Sequence, residues 1–159
     1  RLIGIWCKGC HMYKRILLAY DGSQTGQRAL LESRELAQWM SAELHLVSVV
    51  PMYVEGAGID GGFVIPEQAP DAGLAAQQAV LEEGLGQLRD SGHDAEGVVL
   101  TGDVVTEITD YASKIEADLI VVGHRHRSSW VARWWGGSNS KSLVEQASCS
   151  VLVVISHQD

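Results

Sequence analysis

The sequence is short of positive charge, short of cysteine and without a long apolar run, and each shortage closes off a class of function. Twelve Lys and Arg stand against 20 Asp and Glu, for a formal net charge of -8. Nucleic acid and anionic membrane are repelled by such a surface unless cations gather locally. They gather once, at Arg125, Arg127 and Arg133. No apolar stretch approaches the roughly 20 residues that cross a bilayer, and residues 1–6 are too short for the hydrophobic region of an export signal. The expectation is a cytoplasmic protein with no nucleic-acid and no membrane partner. Three cysteines, an odd number, give no disulfide framework. Cys149, just ahead of an apolar run, is expected to be a reduced, buried thiol. At 159 residues the chain can bury one core and is too short for two of ordinary size.

What is present is concentrated between Asp118 and Ser140, DLIVVGHRHRSSWVARWWGGSNS. Leu119 to Val122 form a continuous apolar run of the kind found in parallel strands covered on both faces. The strand is expected to stop at Gly123. A basic His124-Arg125-His126-Arg127 run, a tryptophan-rich segment and Gly136-Gly137-Ser138-Asn139-Ser140 then lead into a helical pattern. Small residues, hydroxyls, cations and the free amides of a helix start are what a phosphate cradle needs. The basic run reads alternatively as a solvated loop. A His-X-His metal site lacks a carboxylate or cysteine close in sequence to complete it. Trp130 and Trp134 share a helical face and read as packing or a subunit contact before a ligand platform.

The other elements follow in order. Tyr13 to Tyr20 reads as a first strand, and Asp21-Gly22-Ser23 behind it places a carboxylate and a helix cap where open α/β sheets bind ligands. Gln24 to Ser41 has helical spacing, with Trp39 expected to pack. Glu43 to Val50 is a second strand, ended by Pro51. Residues 52–73, rich in glycine, read as a lid or an ordinary insertion. Leu74 to Arg89 recovers helical spacing, weakened by Gly84 and Gly86. Ala95 to Leu100 is a third strand and Val104 to Ala117 a helix. Ser138 to Gln146 is a short helix with Leu143 and Val144 inward, and Val151 to Ile155 is the last strand. Five strands alternating with four helices predict α/β architecture, a doubly wound five-stranded parallel sheet.

Residues 1–11 differ from the rest and read as an extension ahead of a single domain over 12–159. Cys7, Cys10 and His11 have the spacing of c-type haem attachment. Without an export signal or an evident distal ligand, haem there is the weaker reading, as is a zinc or redox role for the thiol pair.

Three stretches together, YKRILLAYDGS from Tyr13, TGDVVTEITDYASKIEADLIVVGHR from Thr101 and GGSNSKSLVEQASCSVLVV from Gly136, resemble the universal stress protein family, from Met12 to Ile155. The resemblance implies a Rossmann-like, adenine nucleotide alpha hydrolase-like fold and an intracellular stress-response protein binding ATP or AMP, with or without Mg. It implies that Asp21 and the backbone of Val49 border the adenosine, and that Gly123, Gly137, Ser138, Asn139 and Ser140 line the phosphates beside His124, Arg125 and His126. The family's ATP motif runs glycine, two residues, glycine, nine residues, glycine, then serine or threonine. Here Gly123 matches its first glycine, His126 replaces its second, and closing on Gly137-Ser138 lengthens the interval by one residue. A nucleotide-independent homodimeric interaction or chaperone-like module is therefore the alternative. Slow ATP hydrolysis or autophosphorylation at Ser138 or Ser140 stands third, since no paired nucleophile and general base is evident. The final VLVVI strand resembles the edge through which family members form homodimers.

Overall fold

The computed structural model describes residues 12–51, 70–125 and 143–156. The elements run β1 Arg15–Ala19, α1 Gln24–Met40, β2 Glu43–Pro51, α2 Pro70–Asp90, β3 Ala95–Gly102, α3 Val104–Lys114, β4 Leu119–Arg125, α4 Leu143–Gln146 and β5 Ser150–Ser156. The strands form one parallel sheet in the order β3-β2-β1-β4-β5, the doubly wound architecture expected from the alternation of elements.

β1 is central because its side chains are apolar on both faces. Ile16, Leu18 and Tyr20 point to one side and meet Ala29, Leu30 and Ala37 of α1 and Leu81 and Leu88 of α2. Leu17 points to the other side and, with Val47, meets Val105, Ile108 and Ala112 of α3 and Leu143 of α4. Burying such a strand on both faces requires helices above and below the sheet. The chain winds outward from β1 through β2 to β3, then crosses back to lay β4 on the other flank of β1. The order therefore reverses between β1 and β4, and in open α/β sheets the crevice forms at such a reversal, beyond the carboxyl ends of the strands.

Several expectations are corrected. β4 does not stop at Gly123: its pairing with β5 continues through Gly123 with Val154, His124 with Ile155 and Arg125 with Ser156. Glycine there ends nothing because it serves a close approach of α1. β1 is shorter than expected, starting at Arg15 and ending at Ala19. α2 begins at Pro70, a residue suited to a first helical turn where its missing N–H is no loss; the preceding loop is shorter for it, and residues 52–69 lie outside the described part. β3 runs on to Gly102. α3 ends at Lys114, where Ile115 caps it and Glu116 turns left-handed at φ 53, so the Ala117 N–H bonds back to the Ala112 carbonyl at 2.8 Å. Trp39 is 80% exposed and does not pack within the chain. Leu74 and Val144 also face outward. Cys149 is only partly buried, and burial is what raises its thiol pKa.

Candidate functional site

β1 is shorter than both its neighbours, and the difference makes a trench. Its pairing with β2 ends at Ala19 with Val47, and with β4 at Ala19 with Val122. β2 goes on to Pro51, paired there among the described residues with β3 alone, and β4 goes on to Arg125, paired there among the described residues with β5 alone. Past Ala19 the flanking strands are walls, and among the described residues only the turn that carries Tyr20 and Asp21 lies between them.

Parity decides what the β2 wall presents. In a parallel strand the N–H and C=O of one residue point to the same side, and successive residues alternate. The Tyr20 N–H donates to the Val47 carbonyl at 2.8 Å, so Val47 faces β1, Ser48 faces β3, and Val49 faces the β1 side again. Val49 thus turns a backbone donor and acceptor, side by side, toward the open trench.

Asp21 forms the floor with the start of α1. Its Oδ1 accepts from the Ser23 N–H at 3.0 Å and from the Ser23 hydroxyl at 2.6 Å. Ser23 is the N-cap, and its Oγ accepts from the Gly26 N–H at 3.0 Å. A methyl group on Gly26 would sit 2.4 Å from Asp21 Oδ1, so glycine in the first helical turn is what lets the carboxylate lie over the helix start. Gly22 has φ +70, and a side chain there would meet Val80 of α2 at 2.7 Å. Conformation and space both demand glycine at this position.

The β4 wall is built on Gly123. A Cβ there would lie 2.9 Å from the carbonyl oxygen and 3.0 Å from the carbonyl carbon of Thr25, so the first turn of α1 rests directly on the strand. Thr25 itself is buried. On the other side of the trench Ser48, 1% exposed, donates its hydroxyl to the Tyr20 carbonyl at 2.7 Å and accepts from Gln77 Nε2 of α2.

Of the residues expected at the site, the structure brings Asp21, Val49 and Gly123 to one trench, with the backbone of His124 and Arg125 extending the β4 wall. His126, Gly137, Ser138, Asn139 and Ser140 lie outside the described residues, as do Arg127, Arg133, the tryptophans of the 130–135 segment, Cys7, Cys10 and His11. Gly26, Thr25, Ser48 and Gln77 were not foreseen. The glycine three residues after the cap was a visible signal; Ser48 and Gln77, polar residues in apolar patterns, gave none that singled them out. Among the described residues no group of three His, Cys, Asp or Glu could hold a metal ion, and no helix is long and apolar enough to cross a membrane.

The opposite end of the sheet is closed by charge. Asp118 accepts from the N–H groups of Lys14 at 2.7 Å and Arg15 at 2.9 Å, and these bonds hold its carboxyl below the usual range. The Arg15 guanidinium pairs with Glu43 at 2.8 Å, lowering the Glu43 pKa, and donates to the Ile115 carbonyl. Arg15, Glu43 and Ile115 border a shallow depression of about 730 Å³, which His45, Glu96 and Lys114 also line. It lies at the amino ends of the strands, away from the switch point.

Comparison with known proteins places this geometry. The sequence model of the universal stress protein family matches residues 12–154. A universal stress protein of Thermus aquaticus is 34% identical over 146 residues, covering 90% of this chain and 99% of that one. A universal stress protein family structure from Burkholderia pseudomallei is 31% identical with TM-score 0.66, covering 90% of this chain and 96% of its own. Two more distant structures share the fold: the universal stress protein of Archaeoglobus fulgidus in complex with dAMP, 21% identical, TM-score 0.63, with 90% and 98% covered, and an Arabidopsis thaliana family protein with AMP bound, 18% identical, TM-score 0.62, with 92% and 94% covered.

Proposed function

The chain belongs to the universal stress protein family, and from that premise we propose that the trench beyond β1 binds an adenine nucleotide, AMP or ATP. The observation that carries the reading is the Val49 donor–acceptor pair facing the gap left by β1. The Watson–Crick edge of adenine offers an acceptor beside a donor, and a backbone N–H beside a C=O is its complement, whereas guanine offers the reverse pattern. The nucleotides named in the Archaeoglobus and Arabidopsis structures are adenine nucleotides and support this choice of base.

In this reading Asp21 borders the ribose, and the phosphates run along the β4 wall from Gly123 past His124 and Arg125. They continue toward His126, Gly137, Ser138, Asn139 and Ser140 in the following segment. His126 stands where the family's ATP motif has a glycine, the residue that leaves most room for backbone to approach a ligand, and an imidazole is a ring N–H donor suited to an anion.

The test is a calorimetric titration of dialysed, nucleotide-free protein with AMP, ATP plus Mg, and GMP. Saturable binding with AMP preferred over GMP is expected. No heat from protein shown by circular dichroism to be folded would reject the reading and favour the nucleotide-independent module. That second reading has its own support in β5, an edge strand on which Leu152 is 39% and Ile155 44% exposed; a second copy paired there would cover both. Sedimentation of Leu152→Glu as a monomer, against a wild-type dimer, would support that contact, and an unchanged dimer would reject it.

A further inference from the structure

Ser48 and Gln77 occupy a position in the trench that the nucleotide reading alone does not explain. If β1 and β2 paired for one more rung, the Val49 N–H would donate to the Tyr20 carbonyl, because Tyr20 already donates to Val47 and parallel rungs alternate in this way. The pairing stops short of it at Ala19 with Val47. The Tyr20 carbonyl is instead held by the Ser48 hydroxyl at 2.7 Å. A carbonyl can only accept, so the single hydroxyl proton of Ser48 is committed to it, and Ser48 Oγ must take its second bond as an acceptor. Gln77 Nε2 supplies that bond. The chain of donors runs one way, Gln77 to Ser48 to Tyr20, and it ends on the atom that would otherwise recruit Val49.

Gln77 is itself fixed by a stripe of α2 that follows the same path. Gly73 lies against Val50 at 3.6 Å, Val80 against Gly22 at 2.7 Å and Gly84 against the Tyr20 ring at 2.7 Å, each measured from a Cβ built on the glycine. Leu81 and Leu88 of the same face are in the core. Spacings of three, four and seven along one face thus hold α2 against the end of β1 from the β2 wall to the turn before Asp21. A buried hydroxyl in an apolar layer carries a desolvation cost unless it is fully bonded, and Ser48, 1% exposed, is bonded both as donor and as acceptor, with the half-buried Gln77 as its donor.

We propose that Gln77 and Ser48 are positioning residues that keep the Val49 amide off the ladder and available to a nucleobase. The inference rests on the nucleotide reading for the identity of the ligand, but the device itself is a property of the free protein. Removing the hydroxyl releases the Tyr20 carbonyl, which then takes the Val49 N–H as an extra rung. The base loses a donor while the phosphate end of the trench is untouched.

The experiment is amide hydrogen exchange of the full chain followed by NMR, with and without AMP, on wild type, Ser48→Ala, Ser48→Thr and Gln77→Leu. In the free wild type the Val49 amide exchanges rapidly for a strand residue, and AMP protects it. In Ser48→Ala it is protected without ligand, AMP binding weakens about three- to tenfold, as the loss of one hydrogen bond implies, and binding of inorganic pyrophosphate is unchanged. Ser48→Thr, which keeps a hydroxyl on a residue suited to strands, restores the wild-type pattern, and Gln77→Leu moves partway toward Ser48→Ala. Equal Val49 exchange in wild type and Ser48→Ala overturns the proposal even if AMP binds. A wild type that ignores AMP, with the Val49 contrast between the two proteins intact, overturns the nucleotide reading and leaves the relay standing. A parallel loss of AMP and pyrophosphate binding in Ser48→Ala would reduce Ser48 to a structural residue and overturn the positioning role.

Discussion

Replacing Gly123 by alanine separates two roles that one glycine can have at a nucleotide site. If the residue is small only so that a phosphate can approach, alanine weakens binding and leaves the free protein as stable as before. The structure argues for a further role. A Cβ on Gly123 would stand 2.9 Å from Thr25 O and 3.0 Å from Thr25 C, against the roughly 3.5–4.0 Å at which carbon contacts are favourable. Both atoms are backbone, so no side chain can swing away to relieve the clash. Gly123 sits in a paired strand with Val154 beside it, and α1 is pinned by Ala29, Leu30 and Ala37 in the core, so relief requires moving the first turn of α1. Overpacking of this kind costs about 1–3 kcal/mol. For a chain of this length that corresponds to a fall in Tm of roughly 2–12 °C. Because Ser23 and Asp21 are tied to the same turn, AMP affinity should fall with stability. Urea unfolding with a common slope for both proteins is the assay, and Gly86→Ala is the control. Gly86 lies inside α2 with nothing within 4 Å of a built Cβ, so alanine should stabilise there by about 0.5–1 kcal/mol. Gly123→Ala within about 0.5 kcal/mol of wild type would refute the packing argument, whatever it did to binding.

Two further predictions concern the ends of the sheet. Asp118→Asn should flatten the acid limb of the stability curve. The folded pKa of Asp118 is lowered, first by the Lys14 N–H, from an unperturbed 3.8, so its contribution is complete above that value and is lost as pH falls through the lower folded one. Urea midpoints from pH 5 downward would test this, and an acid limb identical to wild type would contradict it. Ser23→Ala should cost about 0.5–2 kcal/mol as a lost N-cap, and because Ser23 also donates to Asp21, it should weaken AMP binding beyond the loss in stability. An affinity equal to wild type would detach Asp21 from the ribose end of the site.

Most of the fold could be read from the chain because local pattern and global architecture agree. Apolar runs too short for helices, separated by helical spacings, admit few arrangements other than a parallel sheet with two covered faces. The departures occurred where tertiary contact overrules a local signal. Gly123 looked like a terminator because glycine is depleted in strands, yet the strand continues, since what glycine provides there is room for the Thr25 carbonyl. Gly84 looked like a weakness in α2, and it lies where the Tyr20 ring fills the space a side chain would take. Trp39, Leu74 and Val144 fall at helical intervals that place them near the buried stripe without placing them in it. A period of 3.6 fixes a face only to within the width of one residue.

The site was legible in a different way. Asp21 and Ser23 announce themselves as a carboxylate and a cap between a strand and a helix, and the glycine at position 26 marks where the carboxylate rests. Nothing in the sequence could show that β1 ends while both flanking strands run on past their last rung with it, β2 to Pro51 and β4 to Arg125, because strand length is decided by which neighbour a backbone group finds. The Tyr20 carbonyl finds a serine hydroxyl, and that serine is held by a glutamine 29 residues farther along the chain. Binding capacity at a sheet end is a matter of rungs left unmade, and an unmade rung has no residue type of its own. It is visible only through the polar side chains that take its place, which is why Ser48 and Gln77, unremarked among apolar neighbours, carry more information about this trench than the glycines that first drew attention to it.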